Sequence, residues 1–184
     1  MGKPRPPQKV KLIVGMLSGD VDLLARAQKL FGRTFGAIEL QSDVWPFDAT
    51  DYYEAEMGPQ LKRQFVAFSE CIQPDALAEI KRTTNDLEAR ICEDTLVDLD
   101  RRPVNLDPGY VGLSKLVLAT TKDHAHRIYV QRGIYAEVTL KFEHGAWRPW
   151  PWTYPDYAAG TYYDFFTQVR ERLHRQLHAL SDQS

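Results

Sequence analysis

Cysteine is scarce in this chain: Cys71 and Cys92 are the two in 184 residues. Two are too few for the disulfide framework of a small secreted domain, and neither has a partner at zinc-like spacing. Both are expected to be reduced structural thiols of a cytoplasmic protein. An excess of one charge is also missing, with 23 basic against 25 acidic residues and a formal net charge of -2. A dedicated nucleic-acid binder needs a cationic surface to displace counterions, so nucleic acid is not an expected partner. No apolar run approaches the roughly 18 residues of a membrane helix, and no membrane partner is expected. Residues 1–8 carry Lys3, Arg5 and three prolines, without the apolar stretch of a signal peptide. Catalytic signatures are absent as well. There is no G-x-S-x-G elbow. Gly15 to Asp20 stands between a strand and a helix, as a phosphate loop would, but it lacks G-K-[ST] and places Asp20 where it would repel phosphate.

What is present is enough apolar sequence for a core, 43% of residues, and a patterning that reads as one α+β domain over 9–180 with a flexible tail (1–8) and a frayed C-terminus (181–184). Val10, Leu12, Ile13, Val14, Met16 and Leu17 predict a buried strand. Asp20 is placed to cap a helix carrying Leu23, Leu24, Ala27, Leu30 and Phe31. Ala37 to Trp45 and Leu61 to Ile72 predict two more strands around a loop from Pro46 to Pro59. Pro74 opens a helix marked by Leu77, Ile80, Leu87 and Ile91. With a strand from Arg101 to Val111, ending in a turn at Pro108-Gly109, the order becomes β-α-β-β-α-β, the ferredoxin-like arrangement. Residues 113–121 fit helix or strand, with helix favoured. Ile128 to Arg132 is read as extended. Ile134 to Phe142 alternates cleanly as a half-buried strand, and Glu143-His144-Gly145 closes a hairpin onto Trp147. Tyr162, Phe165, Phe166, Val169, Leu173, Leu177 and Leu180 form the stripe of a C-terminal amphipathic helix.

Chemistry-bearing residues concentrate between Asn105 and Tyr157. Lys122, His126, Arg127 and Arg132, with Lys115 before them, could hold a phosphate or carboxylate through charge-assisted hydrogen bonds. His126 is the candidate proton carrier, with Asp107 and Glu137 as carboxylate partners. The alternative is that these charges pair among themselves or lie in solvent. His124 and His126 would point the same way on a strand, and Asp98, Asp100, Asp107 and Asp123 could add oxygen ligands. No third ligand has a fixed spacing, so no metal is assigned. Trp150 to Tyr157, stiffened by prolines, reads as a covering loop, a ligand wall or a docking surface. Tyr52 to Glu56 admits the same readings.

Several of these elements together resemble a protein family. They are Tyr52-Tyr53-Glu54 with Glu56-Met57-Gly58, Asn105-Leu106-Asp107-Pro108-Gly109-Tyr110, Lys115 to Ala119, Lys122, His126-Arg127-Ile128-Tyr129, Gly133 to Leu140, and Trp152-Thr153-Tyr154-Pro155-Asp156-Tyr157. The chain resembles, over nearly its whole length, the bacterial proteins grouped as domain of unknown function 4416. The resemblance implies no activity and no cofactor. It centres the pattern on His126-Arg127 and leaves His124 outside it. The expected function is a cytoplasmic protein that binds, or acts on, a small anionic ligand such as a nucleotide. Asp107, His126 and Glu137 are the candidate catalytic residues, and Lys122, Arg127, Tyr135, Trp152, Thr153 and Asp156 the candidate ligand contacts. The rival expectation is an interaction module that dimerises or docks through the Trp-Pro loop or a sheet edge.

Overall fold

The computed structural model describes residues 2–48, 50, 53–95 and 102–181, without the side chains of Ala55, Leu180 and Ser181. Asp51, Tyr52, Asp98, Asp100, Arg101 and residues 182–184, all drawn into the expectations above, lie outside the described residues.

The fold is α+β, built on a large antiparallel sheet. Strands β1 (Val10–Ser18), β2 (Ile38–Gln41), β4 (Lys62–Ile72), β5 (Asn105–Val111), β6 (Lys115–Thr120), β7 (Ile128–Gln131) and β8 (Ile134–Glu143) take the spatial order β2-β4-β1-β5-β6-β8-β7. Two short strands, β3 (Trp45–Pro46) and β9 (Ala146–Pro149), pair with β4 and β8. Strand β1 is central and buried along its whole length, which is why it reads as a continuous apolar run and not as an alternation. Its Leu12, Val14 and Met16 face helices α1 (Val21–Thr34) and α3 (Leu77–Asp94), packing on Leu24, Phe31, Ile80 and Ile91. Its Ile13 faces the other way, toward helix α5 (Tyr163–Ser181) and the rings of Phe165 and Phe166. The period of two along the strand therefore distributes one apolar segment between two cores. Asp20 caps α1, its carboxylate accepting from the Asp22 N–H at 2.8 Å.

Three expectations are corrected. Within residues 113–121, Lys115–Thr120 form β6 and not a helix: β6 is held between β5 and β8, and its β-branched and apolar side chains fit a position buried in a sheet better than an isolated turn of helix. Pro108-Gly109 is not a turn but lies inside β5, opposite Val14 and Ile13 of β1. The extended conformation is tolerated because the β5–β6 ladder runs only from Gly109↔Leu118 to Val111↔Leu116 and stops before the proline, which has no N–H to contribute. The strand expected over Ala37 to Trp45 is broken into β2 and β3, and the Pro46–Pro59 loop holds a short helix, α2 (Glu54–Met57).

The glycine after Pro108 is required by contact. A Cβ there would collide with the Val117 carbonyl oxygen and would lie 2.6 Å from Leu118 Cδ2. The carbonyl belongs to the neighbouring strand and cannot swing aside. Gly109→Ala is therefore expected to lower stability by about 1–3 kcal/mol, as overpacking does. Urea unfolding checks this, and an unchanged midpoint would contradict it.

Candidate functional site

Beyond Pro108, β5 and β6 are no longer paired, and a cavity of about 310 Å³ lies where they part. Its lining includes Asn105 and Asp107 of β5, Leu118 to Lys122 at the end of β6, Glu137 of β8, and Arg63 of β4. Lys81, Asn85 and Glu88 of α3 also line it, as do Tyr154 to Tyr157, which include helix α4 (Pro155–Ala158), and Phe47, Tyr53 and Arg102. That volume is at the lower end of the range for small-molecule sites.

Arg63 is the unusual member. Its side chain is 3% exposed, yet it belongs to the strand next to β1 and faces the cavity beyond it. Gly15 makes the route: a Cβ there would stand 3.5 Å from Arg63 Nη1 and 2.8 Å from the Phe65 ring. Across this bare stretch of backbone Arg63 approaches Asp107, which pairs with Gly15 from β5. Nη1 lies 3.6 Å from Asp107 Oδ2 and Nη2 lies 3.6 Å from Asp156 Oδ2. Both are ion-pair distances and neither is a hydrogen bond. Nε and Nη1 have no hydrogen-bond partner among the described residues. The Phe47 ring lies under the guanidinium, 5.0 Å from centroid to Cζ. Burial disfavours this charge, and Tyr157, Asp156 and Asp107 more than offset it, so the guanidinium stays protonated.

Lys81 brings a second buried cation. Its Nζ donates to the Leu106 carbonyl at 3.0 Å and lies 3.4 Å from Asp107 Oδ1. Burial alone would raise the Asp107 carboxyl. Lys81, Arg63 and the Asn105 amide, which donates to Oδ2 at 2.5 Å, reverse this and hold it below the usual carboxylate range. Burial wins at Asp156, whose carboxyl is raised although Arg63 opposes it. At Glu88 burial pushes the carboxyl up to about 7, against Lys81, the Leu106 N–H and Arg102. Glu88 Oε1 accepts the Leu106 N–H at 2.6 Å, while Oε2 is 3.9 Å from Arg102 Nη1.

The expected site residues divide into two groups. Asp107, Lys122, Glu137 and Asp156 line the cavity. Arg127 and His126 stand behind Glu137: Arg127 Nε donates to Glu137 Oε2 at 2.8 Å, and His126 Nε2 is 3.1 Å from the same oxygen. Arg127 Nη2 also donates to the Tyr154 hydroxyl at 2.6 Å, fixing a ring of the cavity wall. His126 is stacked on Trp152 at 5.7 Å and does not line the cavity. Thr153 and Trp152 are pins: Thr153 Oγ1 donates to the Thr139 carbonyl at 2.6 Å and Trp152 Nε1 to the Val138 carbonyl at 3.2 Å. They cover the edge of β8 between the stretches paired with β7 and β9. Tyr135 packs edge-on against Tyr129, away from the cavity. Lys115 opposes Lys141 in the sheet, and Arg132 pairs with Glu79 at 3.1 Å, so neither joins Lys122. Among the described residues no group of three or more His, Cys, Asp or Glu is arranged to hold a metal.

Arg63, Lys81, Glu88 and Asn105 were not anticipated, although each left a trace. Arg63, Phe65 and Ala67 share one face of β4, which puts a cation in line with core residues. Lys81, Thr84, Asn85 and Glu88 recur at i, i+3, i+4 and i+7 beside the apolar stripe of α3.

A model of the family described as domain of unknown function (DUF4416) matches residues 8–173. No curated protein and no solved structure matches the chain.

The Glu88 shift sets a pH dependence. The folded chain keeps a proton on Glu88 up to about pH 7, whereas the unfolded chain loses it near the ordinary pKa of about 4.3. Stability from this group is therefore full below the ordinary value and falls as pH rises toward 7. Asp156, also raised, acts in the same direction from a lower start. Asp107, depressed, loses its contribution only as pH falls below the carboxylate range. Glu88→Gln is expected to remove about 3 kcal/mol of decline between pH 4.5 and 7. Denaturant unfolding of both proteins across that window checks it, and parallel curves would contradict it.

Proposed function

The chain belongs to the family described as domain of unknown function (DUF4416), a description that names no activity, and we propose from the cavity itself that it binds a small anionic ligand. The observation that carries this reading is Arg63. Arg63 lines the cavity, and its Nε and Nη1 are buried with no hydrogen-bond partner among the described residues. A buried N–H without a partner is costly, and a cationic one more so. A carboxylate or phosphate oxygen in the cavity would satisfy it through a charge-assisted bond. Lys81 adds charge at the same place, and Glu88 and Asp107 offer acceptors to hydroxyl or amine groups of the same ligand. A nucleotide is one member of this class, with Tyr53 and Tyr154 as the rings available to its base. If chemistry follows binding, Asp107 and Glu137 reach the ligand directly, and His126 acts only through Glu137.

The finer reading of the fold belongs to the same proposal. The spatial order β2-β4-β1-β5, antiparallel throughout, with α1 and α3 on one face, supports a ferredoxin-like core extended by β6 to β9 and α5. No helix among the described residues is long and apolar enough to cross a membrane; a cytoplasmic location is proposed from the two free cysteines alone.

One observation favours the rival reading as a homo-oligomer or docking module. Strand β7 lies at the end of the sheet with Ile128 75% and Tyr129 58% exposed, and an exposed apolar edge strand is a template for pairing. Light scattering after size exclusion decides it: a monomer at all concentrations would set this reading aside.

Thermal shift and calorimetric titration with sulfate, nucleotides and sugar phosphates test the anion site. An anion at 100 times its Kd is expected to stabilise the fold by about 2.7 kcal/mol. Arg63→Lys keeps a charge between Asp107 and Asp156 but loses the planar fork, and is expected to weaken binding at least tenfold. Absence of stabilisation by any anion, or equal affinity in Arg63→Lys, would contradict the proposal.

A further inference from the structure

Outside the cavity, the described residues hold one close pair of unused imidazoles. His174 and His178 are four apart on α5, both exposed, with their Nε2 atoms 3.2 Å apart. Residues at this spacing lie one above the other on a helix face. The rings meet through the same nitrogen, tilted at 63° with centroids 4.4 Å apart. Two nitrogens each about 2.0–2.1 Å from a metal ion, at an angle of roughly 100°, stand about 3.2 Å apart. The observed separation is that of two neighbouring ligands of a single ion. A hydrogen bond between the rings requires one to be donor and the other acceptor; a metal ion takes a lone pair from each.

The surroundings suit a cation on balance. His178 lies in the last turn of α5, where unpaired carbonyls carry partial negative charge. Glu171 precedes His174 by three positions, on the same side. Arg175 adjoins His174 in sequence, and Arg172 lies 3.8 Å from Glu39. The pair lies beyond residue 173, where the family match ends.

We propose that His174 and His178 form a two-imidazole chelate for one divalent transition-metal ion of the borderline class, Cu²⁺, Ni²⁺ or Zn²⁺, with water in the remaining positions. The site is independent of the anion cavity. With two neutral nitrogen ligands, affinity follows the intrinsic order in which Cu²⁺ exceeds Ni²⁺ and Zn²⁺. Protons compete for the same nitrogens, so acid releases the metal.

Calorimetric titration of the whole chain with each ion, in a buffer that does not bind metals, tests the proposal. One ion per chain is expected to bind, tightest for Cu²⁺. His174→Ala and His178→Ala are each expected to weaken it at least tenfold, and His124→Ala to leave it unchanged. Both histidines of the pair are exposed, so circular dichroism should show intact folding in either variant. The absorption band of bound Cu²⁺ should disappear with the pair. No binding to the parent chain, binding unaltered in both variants, or loss on His124→Ala would overturn it.

Discussion

A guanidinium held out of water between two carboxylates organises this molecule. Taking an ion of this size out of water costs several kcal/mol even after the protein relaxes. Arg63 meets that cost with Asp107 on one side and Asp156 on the other, each at 3.6 Å, and with the Phe47 ring beneath it. The three charges come from β4, β5 and α4, which are far apart in sequence. Pairing at 3.6 Å is not full satisfaction: Arg63 lines a cavity, and two of its nitrogens have no hydrogen-bond partner among the described residues. A cation surrounded by acceptors at bonding distance would be structural. This one keeps two nitrogens without a partner among the described residues.

The cavity follows from one local feature of β5. Pro108 cannot continue the ladder, β6 pairs only from Gly109 onward, and the space between the strands opens on the side of Asp107. Gly15 in the next strand has no side chain and lets Arg63 reach that space. The Trp150 to Tyr157 segment then lines it through Tyr154 to Tyr157. Its rings continue a stack in which Trp150 and Trp152 are nearly parallel at 5.1 Å, Trp152 lies on His126, and Lys141 caps Trp150 at 4.8 Å. Thr153 and Arg127 tie this wall to β8 and to the Tyr154 hydroxyl. The residues read as chemical, His126 and Arg127, thus contact the cavity wall through Glu137 and Tyr154.

Much of this was legible in the residues, and the remainder was hidden for identifiable reasons. The helices α1, α3 and α5 and the strands β1, β4 and β8 carry periodicities of 3.6 or 2 that survive burial on one or two faces. Asp107 stood out beside Pro108-Gly109, Glu137 on the polar side of an alternating strand, and Asp156 within the family motif Trp152 to Tyr157. Pro108-Gly109 was misread because that dipeptide ordinarily marks a turn; only the neighbouring strands show that the chain there is extended. Residues 113–121 were ambiguous because an apolar run this short has no period of its own. Arg63 and Lys81 escaped because lysine and arginine are taken for surface residues by default, and their partners are supplied by tertiary structure.

We propose that Arg63 is an anion receptor and not only a structural ion. The most direct measurement is a crystal structure of the protein grown with selenate, read by anomalous scattering. A selenate is expected in the cavity, within hydrogen-bond distance of the Arg63 guanidinium and near Lys81. Selenate bound only elsewhere, with Arg63 closed onto Asp107 and Asp156 and water alone in the cavity, would contradict it.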